Sequence, residues 1–247
     1  MRSGPIRLTN LTLRRGGRDV VRGLNGVFAS GSLTAIAGAN GAGKSTLLQA
    51  LCGLLPPAAG RIDRGGLDPR DFALLPQDGR LDRSFPISCR DVVALGWTGH
   101  LGLFGRIGPA HCAAADRALA AVGLPDLGDR PIGELSAGQF QRVLFARTIV
   151  RDAQVVLLDE PFSAVDAATE ADLMAIVQDW HRQGRTVAVV LHDLDLIQSS
   201  FPEVLLLGEH GAVWGATATV LTAHAMRDVH LRVRLPGAMA GAMEAAA

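Results

Sequence analysis

The 247-residue chain contains no tyrosine, only three cysteines and no excess of either charge. Lys and Arg together number 24, and so do Asp and Glu, so no overall field favours nucleic acid or an anionic membrane. Cys52, Cys89 and Cys112 are far apart and form no C-x-x-C pair. This spacing argues against a disulfide framework or a zinc knuckle, and we expect idle or buried thiols in a reducing compartment.

Long apolar runs are also missing. The apolar content is 48%, yet no run approaches the roughly 20 residues that a membrane-spanning helix needs. Residues 1–5 lack the apolar stretch of a signal peptide. We therefore expect any membrane role to be peripheral and to depend on a partner.

What the chain does have is a phosphate-binding loop. Residues 38–45 read G-A-N-G-A-G-K-S and fit the pattern G-x-x-x-x-G-K-[ST], between a predicted strand at 33–37 and a predicted helix at 46–54. In such a loop, backbone N–H groups surround a phosphate chain and the helix N-terminus adds its positive dipole end. We predict that a nucleoside triphosphate is bound by Gly38, Asn40, Gly41, Ala42, Gly43, Lys44, Ser45 and Thr46. Lys44 would reach the β- and γ-phosphates, and the Ser45 hydroxyl would ligate Mg²⁺.

A second motif supplies carboxylates. The apolar run 155–158 is typical of a buried parallel strand, and it ends in Asp159 and Glu160. Solvated carboxylates often end strands, but ligands also sit at this end of such sheets. Because the pair follows a phosphate loop, we predict that Asp159 holds Mg²⁺ and that Glu160 polarises the attacking water.

A third segment, L-S-A-G-Q at 135–139, precedes an apolar-periodic helix. Ser136 is a favourable helix N-cap, and one interpretation stops there. The other is a second anion site, in which Ser136 and the N–H groups near Gly138 face a phosphate.

The rest of the chain alternates between strands and helices, which predicts a mostly parallel α/β sheet covered on both faces. We predict further strands at 6–13, around 20–21, near 27, at 74–76, 186–191 and 204–207. Further helices are predicted at 88–95, 109–122, 169–183 and 194–199.

Taken together, these motifs resemble those of the ATP-binding-cassette (ABC) ATPases, with residues 135–139 as the signature motif. Gln77 falls at the Q-loop glutamine, residues 163–166 match the D-loop, and His192 matches the switch histidine. The motifs occur in the family order over roughly residues 6–215.

The resemblance implies a RecA-like parallel sheet core with an N-terminal antiparallel β subdomain and an inserted α-helical subdomain. It implies one ATPase domain over 1–235, with the insertion at 81–150, and we expect 236–247 to be a flexible tail.

The resemblance also assigns roles to single residues. ATP with Mg²⁺ would be sandwiched between two head-to-tail copies in a homodimer, each signature motif completing the other copy's site. Gln77 would sense Mg²⁺ and the attacking water, and His192 would contact the γ-phosphate. The neighbour's nucleotide would meet Ser136, Gly138 and Gln139, and Asp166 would couple the two sites.

Three positions depart from the family pattern. Arg15 stands where an aromatic usually stacks on adenine, although a guanidinium plane can also stack on a base. Ala137 replaces the commoner glycine of the signature, which is tolerable at a negative φ. Phe140 stands where a polar residue is usual, and the sequence offers no reason for it.

Two sequence segments, one after Gln77 at about residues 84–104 and one at 129–135, resemble those of the zinc/manganese importer branch of the family. This implies integral membrane permease subunits as partners, a location at the cytoplasmic face of the inner membrane, and indirectly a secreted or periplasmic metal-binding protein. Zinc ranks first and manganese second, with siderophore and haem importers as near alternatives. ABC ATPases that act on nucleic acid are a different class, but the chain shows neither a second cassette nor a basic stripe.

We also expect the stretch 81–104 to contact the permease through its apolar side chains: Phe85, Ile87, Trp97, Leu101, Leu103 and Phe104.

Overall fold

A computed structural model describes residues 4–77, 82–101, 106–208 and 211–221 of the chain. Its strands are β1 Ile6–Arg15, β2 Arg18–Phe28, β3 Leu33–Gly38, β4 Ala59–Asp63, β5 Phe72–Leu75, β6 Val155–Asp159, β7 Thr186–Val190, β8 Glu203–Gly208 and β9 Gly211–Ala216. Its α-helices are α1 Lys44–Leu51, α2 Cys89–Ala94, α3 Thr98–Leu101, α4 Pro109–Ala121, α5 Ala137–Val150, α6 Ala167–Arg182, α7 Leu194–Ser200 and α8 Thr217–Val220. No helix of these ranges combines the length and the apolarity that crossing a membrane requires.

A six-stranded sheet in the order β5-β6-β7-β3-β8-β9 forms the core. All of its pairings are parallel except β8 with β9, which is antiparallel at the edge. Every residue of β3, β6 and β7 is buried, as expected of central strands covered by helices on both faces. The carboxyl ends of β3 and β6 lie two strands apart, so the phosphate loop and Asp159 meet at one edge of the sheet.

The N-terminal sheet is antiparallel, in the order β2-β1-β4. It turns Leu8, Leu11 and Leu13 inward, and the register shifts between Leu8 and Leu11. Gly60 has a φ of 74°, and a Cβ there would lie 2.2 Å from the Asn10 carbonyl oxygen. Only glycine therefore allows β4 to approach β1 this closely.

The inserted helical subdomain is formed by α2, α4 and α5, which share one apolar core. Its fully buried side chains include Val92, Leu119 and Phe145, and Trp180 of α6 stacks on Phe145 with ring centroids 5.4 Å apart. The predicted three-part architecture is confirmed by this arrangement.

Several elements differ from the predicted ones. β2 is one strand where two were predicted, and β4 and β9 were not predicted at all. The helix after the phosphate loop ends at Leu51 rather than 54, because Gly53 turns the chain at a φ of 82°. Helix α6 begins before 169, because the Asp166 side chain caps it by accepting from the Thr169 N–H at 2.8 Å.

Candidate functional site

The phosphate loop connects β3 to α1, and steric crowding explains why two of its positions are glycine. Gly43 has a φ of 93°, and a Cβ there would lie 2.7 Å from Val21 Cγ2. Gly38 has a φ of 153°, and a Cβ there would lie 2.2 Å from the Leu207 carbonyl oxygen of β8. The loop is therefore held tightly between β2, β3 and β8, with the N-terminus of α1 turned towards the carboxyl edge of the sheet.

A cavity of about 460 Å³ opens above this loop. It is lined by Arg15, Val20, Asn40, Gly41, Gly43, Lys44, Ser45, Thr46, Gln49, Pro76, Gln77, Asp159 and Glu160. The structure thus brings the predicted loop residues, both carboxylates, Gln77 and Arg15 to one place. Ala42 instead lines a small neighbouring cavity, and Gly38 takes part through its carbonyl group.

Lys44 is buried at the floor of the cavity. Its Nζ donates hydrogen bonds to the carbonyls of Gly38 at 2.9 Å and Ala39 at 3.0 Å. Burial lowers the pKa of Lys44, and the charges of Glu160 and Asp159 oppose that change. A phosphate would give this desolvated cation the anionic partner that the loop carbonyls only partly replace.

Asp159 ends β6 with its side chain buried at 4% exposure. Burial raises the pKa of Asp159, and the charge of Glu160 raises it further. Three groups lower it in part: the Ser45 hydroxyl, the Gln77 backbone and the charge of Lys44. Among the described residues, its Oδ1 finds no hydrogen-bond partner. A buried, unpartnered carboxylate oxygen beside a serine hydroxyl fits the oxygen ligands that Mg²⁺ prefers, so the residues present suit that ion.

Glu160 follows with a φ of 50°, a conformation that non-glycine residues rarely adopt. Its N–H donates to the Val190 carbonyl at 3.2 Å, and its Oε1 lies 2.5 Å from Nε2 of His192. Strain of this kind persists where the surroundings fix it, often at functional sites. His192, which follows β7, is thereby joined to the carboxylate at the end of β6.

The signature residues lie outside this cavity in the same chain. Ser136 caps α5: its Oγ accepts from the Gln139 N–H at 3.2 Å, and Gln139 Oε1 accepts from the Ser136 N–H at 3.0 Å. A Cβ on Gly138 would lie 2.6 Å from the carbonyl oxygen of Ala164 in the D-loop. The Thr169 N–H holds the pKa of Asp166 below its ordinary value. Ser136 and Ala137 are exposed, so the motif is accessible to another molecule.

Sequence reasoning missed Gln49, Val20 and Pro76 on the cavity wall. Gln49 follows Ser45 by four residues, so helical periodicity places both on one face of α1 and was a usable signal. Its Oε1 accepts from Nη1 of Arg15 at 2.9 Å, which holds the guanidinium at the cavity. No local pattern pointed to Val20.

Comparison with known proteins agrees with the resemblance of the motifs to ABC ATPases. A family model described as ABC transporter matches residues 21–163. The manganese transport system ATP-binding protein MntB of Bacillus subtilis is 39% identical over 222 residues, covering 88% of this chain and 89% of that protein.

The zinc transport system ATP-binding protein TroB of Treponema pallidum is also 39% identical, over 221 residues that cover 88% of this chain and 83% of that protein. Among solved structures, a chain described as an inward-facing conformation of a metal-chelate type ABC transporter superposes with a TM-score of 0.80 at 29% identity. It covers 91% of this chain and 88% of that one.

Proposed function

Because the chain belongs to the ABC transporter family and is an ATPase of that family, we propose that it powers the import of a divalent transition metal. Zinc ranks before manganese, with iron-siderophore or haem import as alternatives. The main observation in support of ATP hydrolysis is that Lys44, Asp159 and Glu160 line the same cavity of about 460 Å³. The assignment to metal import is supported by relatives whose names include manganese and zinc transport.

The proposed chemistry follows from the chain's own groups. Lys44 binds the β- and γ-phosphates, and the loop N–H groups orient them. Ser45, Gln77 and Asp159 would hold Mg²⁺, which neutralises charge on the phosphate oxygens when bound. Glu160 accepts a proton from the attacking water. His192 orients the Glu160 carboxylate through their 2.5 Å contact and would contact the γ-phosphate.

We propose that two copies share each nucleotide. Ser136, Gly138 and Gln139 are absent from their own chain's cavity, and their exposed helix N-terminus is suited to a phosphate of the neighbour. Asp166, which caps α6 next to the segment packed on Gly138, would couple the two sites.

The permease is proposed to dock at a second cavity, of about 550 Å³, which we call the docking groove. Its lining includes Leu54, Leu74, Pro76, Leu144 and Arg147, and Leu54 is 71% exposed. Pro76 also lines the nucleotide cavity, so a segment in the groove would lie next to Gln77. An amphipathic helix with apolar anchors fits such a groove. Docking there would hold the chain at the cytoplasmic face of the inner membrane, with a metal-binding protein delivering substrate from the other side.

The catalytic assignment is tested with Glu160→Gln. The amide cannot accept a proton, so turnover should fall at least about 100-fold while ATP binding persists and a stable ATP-bound dimer accumulates. Turnover and molecular size in ATP are measured on the same preparation. Lys44→Ala is the matched contrast, because it should weaken ATP binding itself by roughly ten-fold or more. Near-normal turnover of Glu160→Gln would remove Glu160 from the role of base.

The identity of the transported metal is tested in the assembled transporter. Reconstituted with its permease and binding protein, the complex should show ATP-dependent uptake of zinc, and Glu160→Gln should abolish that uptake. Preferential uptake of manganese or of an iron chelate would replace zinc, and uptake of none of them would reject metal import.

A further inference from the structure

Two segments of the helical subdomain, residues 82–88 and residues 130–132, run side by side ahead of α5. The first, residues 82–88, lies between Gln77 and α2, and we call it the strap. Backbone hydrogen bonds tie it to residues 130–132: the Ile132 N–H donates to the Ile87 carbonyl at 3.1 Å, and Ser88 bridges Pro131. The Cys89 N–H, at the start of α2, donates to the Arg130 carbonyl at 2.9 Å. These bonds connect the strap to the segment that leads into the signature motif.

Arg83 extends this connection by side-chain contacts. Its Nη2 donates to the carbonyl of Leu135, and its guanidinium carbon lies 5.2 Å from the ring centroid of Phe140. Its own carbonyl packs against Gly133, where a Cβ would approach to 2.8 Å. Arg83 therefore binds both sides of the beginning of α5, the peptide that enters it and its first turn.

The position of these contacts matters because Leu135 precedes the helix cap. The Leu135 carbonyl and the Ser136 N–H belong to one peptide group, and that N–H is the group that Gln139 binds in the capping box. Fixing this planar unit fixes the direction in which Ser136 and the first N–H groups of α5 point. Phe140 is 7% exposed and presents its ring to the guanidinium, an interaction that a polar side chain could not make.

We propose that Arg83 is a positioning residue that holds the signature motif in the geometry needed by the neighbouring copy's nucleotide. It does so as a link between the strap and the Leu135–Ser136 peptide, with Phe140 as its platform. This inference rests on the proposed sharing of each nucleotide between two copies. It assigns to Arg83 and Phe140 a role that none of the nucleotide-binding motifs contains.

The test separates a chain's own nucleotide site from the composite one. In a Glu160→Gln background, Arg83→Ala should leave the affinity of the single chain for ADP within about two-fold, because Lys44 and its loop are untouched. The dissociation constant of the ATP-bound dimer should rise at least about ten-fold, since a charge-assisted hydrogen bond and a cation–π contact are lost. A general loss of structure would weaken both quantities together.

Arg130→Ala is the matched control. It removes the same charge from the adjoining segment, but the Arg130 side chain pairs, among the described residues, only with Glu134 at the surface, and this variant should dimerise normally. Phe140→Leu keeps an apolar side chain and should show a smaller loss, and the effect of Arg83→Ala should shrink in its presence. Should Arg83→Ala fail to fold, Arg83→Lys and Phe140→Leu supply the measurement.

The outcomes distinguish this inference from the function on which it rests. If Glu160→Gln alone fails to associate in ATP, the shared-nucleotide proposal is wrong and the role of Arg83 falls with it. If it associates, and the Arg83 and Phe140 variants associate equally well, only the positioning role is overturned. Weaker association at unchanged ADP affinity supports it.

Discussion

At the scale of single residues, the nucleotide cavity contains a group that destabilises the nucleotide-free protein. Asp159 is buried, its pKa is raised chiefly by burial, and its Oδ1 lacks a partner among the described residues. An ionised carboxylate in such a place destabilises the protein until a cation compensates it.

Asp159→Asn should therefore raise the free energy of unfolding of the nucleotide-free protein by roughly 1 kcal/mol at neutral pH. A raised pKa means that the folded protein binds the proton more readily, so wild-type stability rises as the pH falls through that pKa. The advantage of Asn should shrink in the same window. Urea unfolding at several pH values measures it.

The same variant should lose Mg²⁺-dependent ATP hydrolysis, because the amide is a weaker ligand for the ion. A variant that is less stable at neutral pH would show that Asp159 is a structural carboxylate. Asp166→Asn serves as the comparison, since the pKa of Asp166 is lowered by its helix cap and its charge stabilises the fold.

At the scale of elements, the strap carries an exposed apolar side chain beside its buried links. Phe85 is 62% exposed, whereas Ile87 packs against the helical core and Trp97 meets the His111 ring edge-on at 5.0 Å. Of the other residues predicted to contact the permease, Leu103 and Phe104 lie outside the described residues, and the structure describes the backbone of Leu101 but not its side chain.

Phe85→Asp should leave folding and the ATPase rate of the isolated subunit within about two-fold, because the side chain is largely in water. It should abolish co-purification with the permease and metal uptake, because a carboxylate cannot replace an apolar anchor. Val27→Asp is the control: Val27 is 40% exposed, but it lies on the N-terminal sheet. Full uptake by Phe85→Asp would show that the permease does not contact the strap, which would leave the docking groove as the proposed coupling surface.

At the scale of the whole molecule, the chain has one phosphate loop and one signature motif, and the two do not share a cavity. A composite site therefore needs a second copy. Cysteines at position 40 of the loop and position 137 of the signature report on this arrangement. Position 40 is preferable to Gly41, whose φ of 85° favours glycine.

In a background without the native cysteines, chains carrying Asn40→Cys and Ala137→Cys should become linked to each other by a short bifunctional thiol reagent in ATP. The linked species should be dimeric and should not form in ADP, because in the proposed dimer the γ-phosphate joins the two copies. Linkage within one chain, or linkage independent of the nucleotide, would contradict the head-to-tail dimer. Gel electrophoresis under denaturing conditions distinguishes these products.

The sequence by itself determined which motifs the chain carries, because each motif depends only on local order. The loop from Gly38 to Ser45 and the pair Asp159 and Glu160 could be predicted because each motif needs fixed residues at fixed spacing next to one strand. The class of fold followed from the alternation of strands and helices, and the resemblance to the ABC family supplied Gln77, the signature motif and His192. Capping also followed from sequence, since Ser136 and Gln139 bond to each other across the first turn of one helix.

The tertiary structure alone decided what depends on residues far apart in the chain. β4 has mostly exposed side chains and no apolar pattern, and it becomes a strand only because β1 offers its backbone. The Glu160–His192 contact, the meeting of Arg15 with Gln49, and the link from Arg83 to Phe140 each join different elements. Such pairs leave no periodic signal, because packing and not spacing brings them together. The sequence did not explain the aromatic side chain at position 140, and the structure explains it by the Arg83 guanidinium that lies over the Phe140 ring.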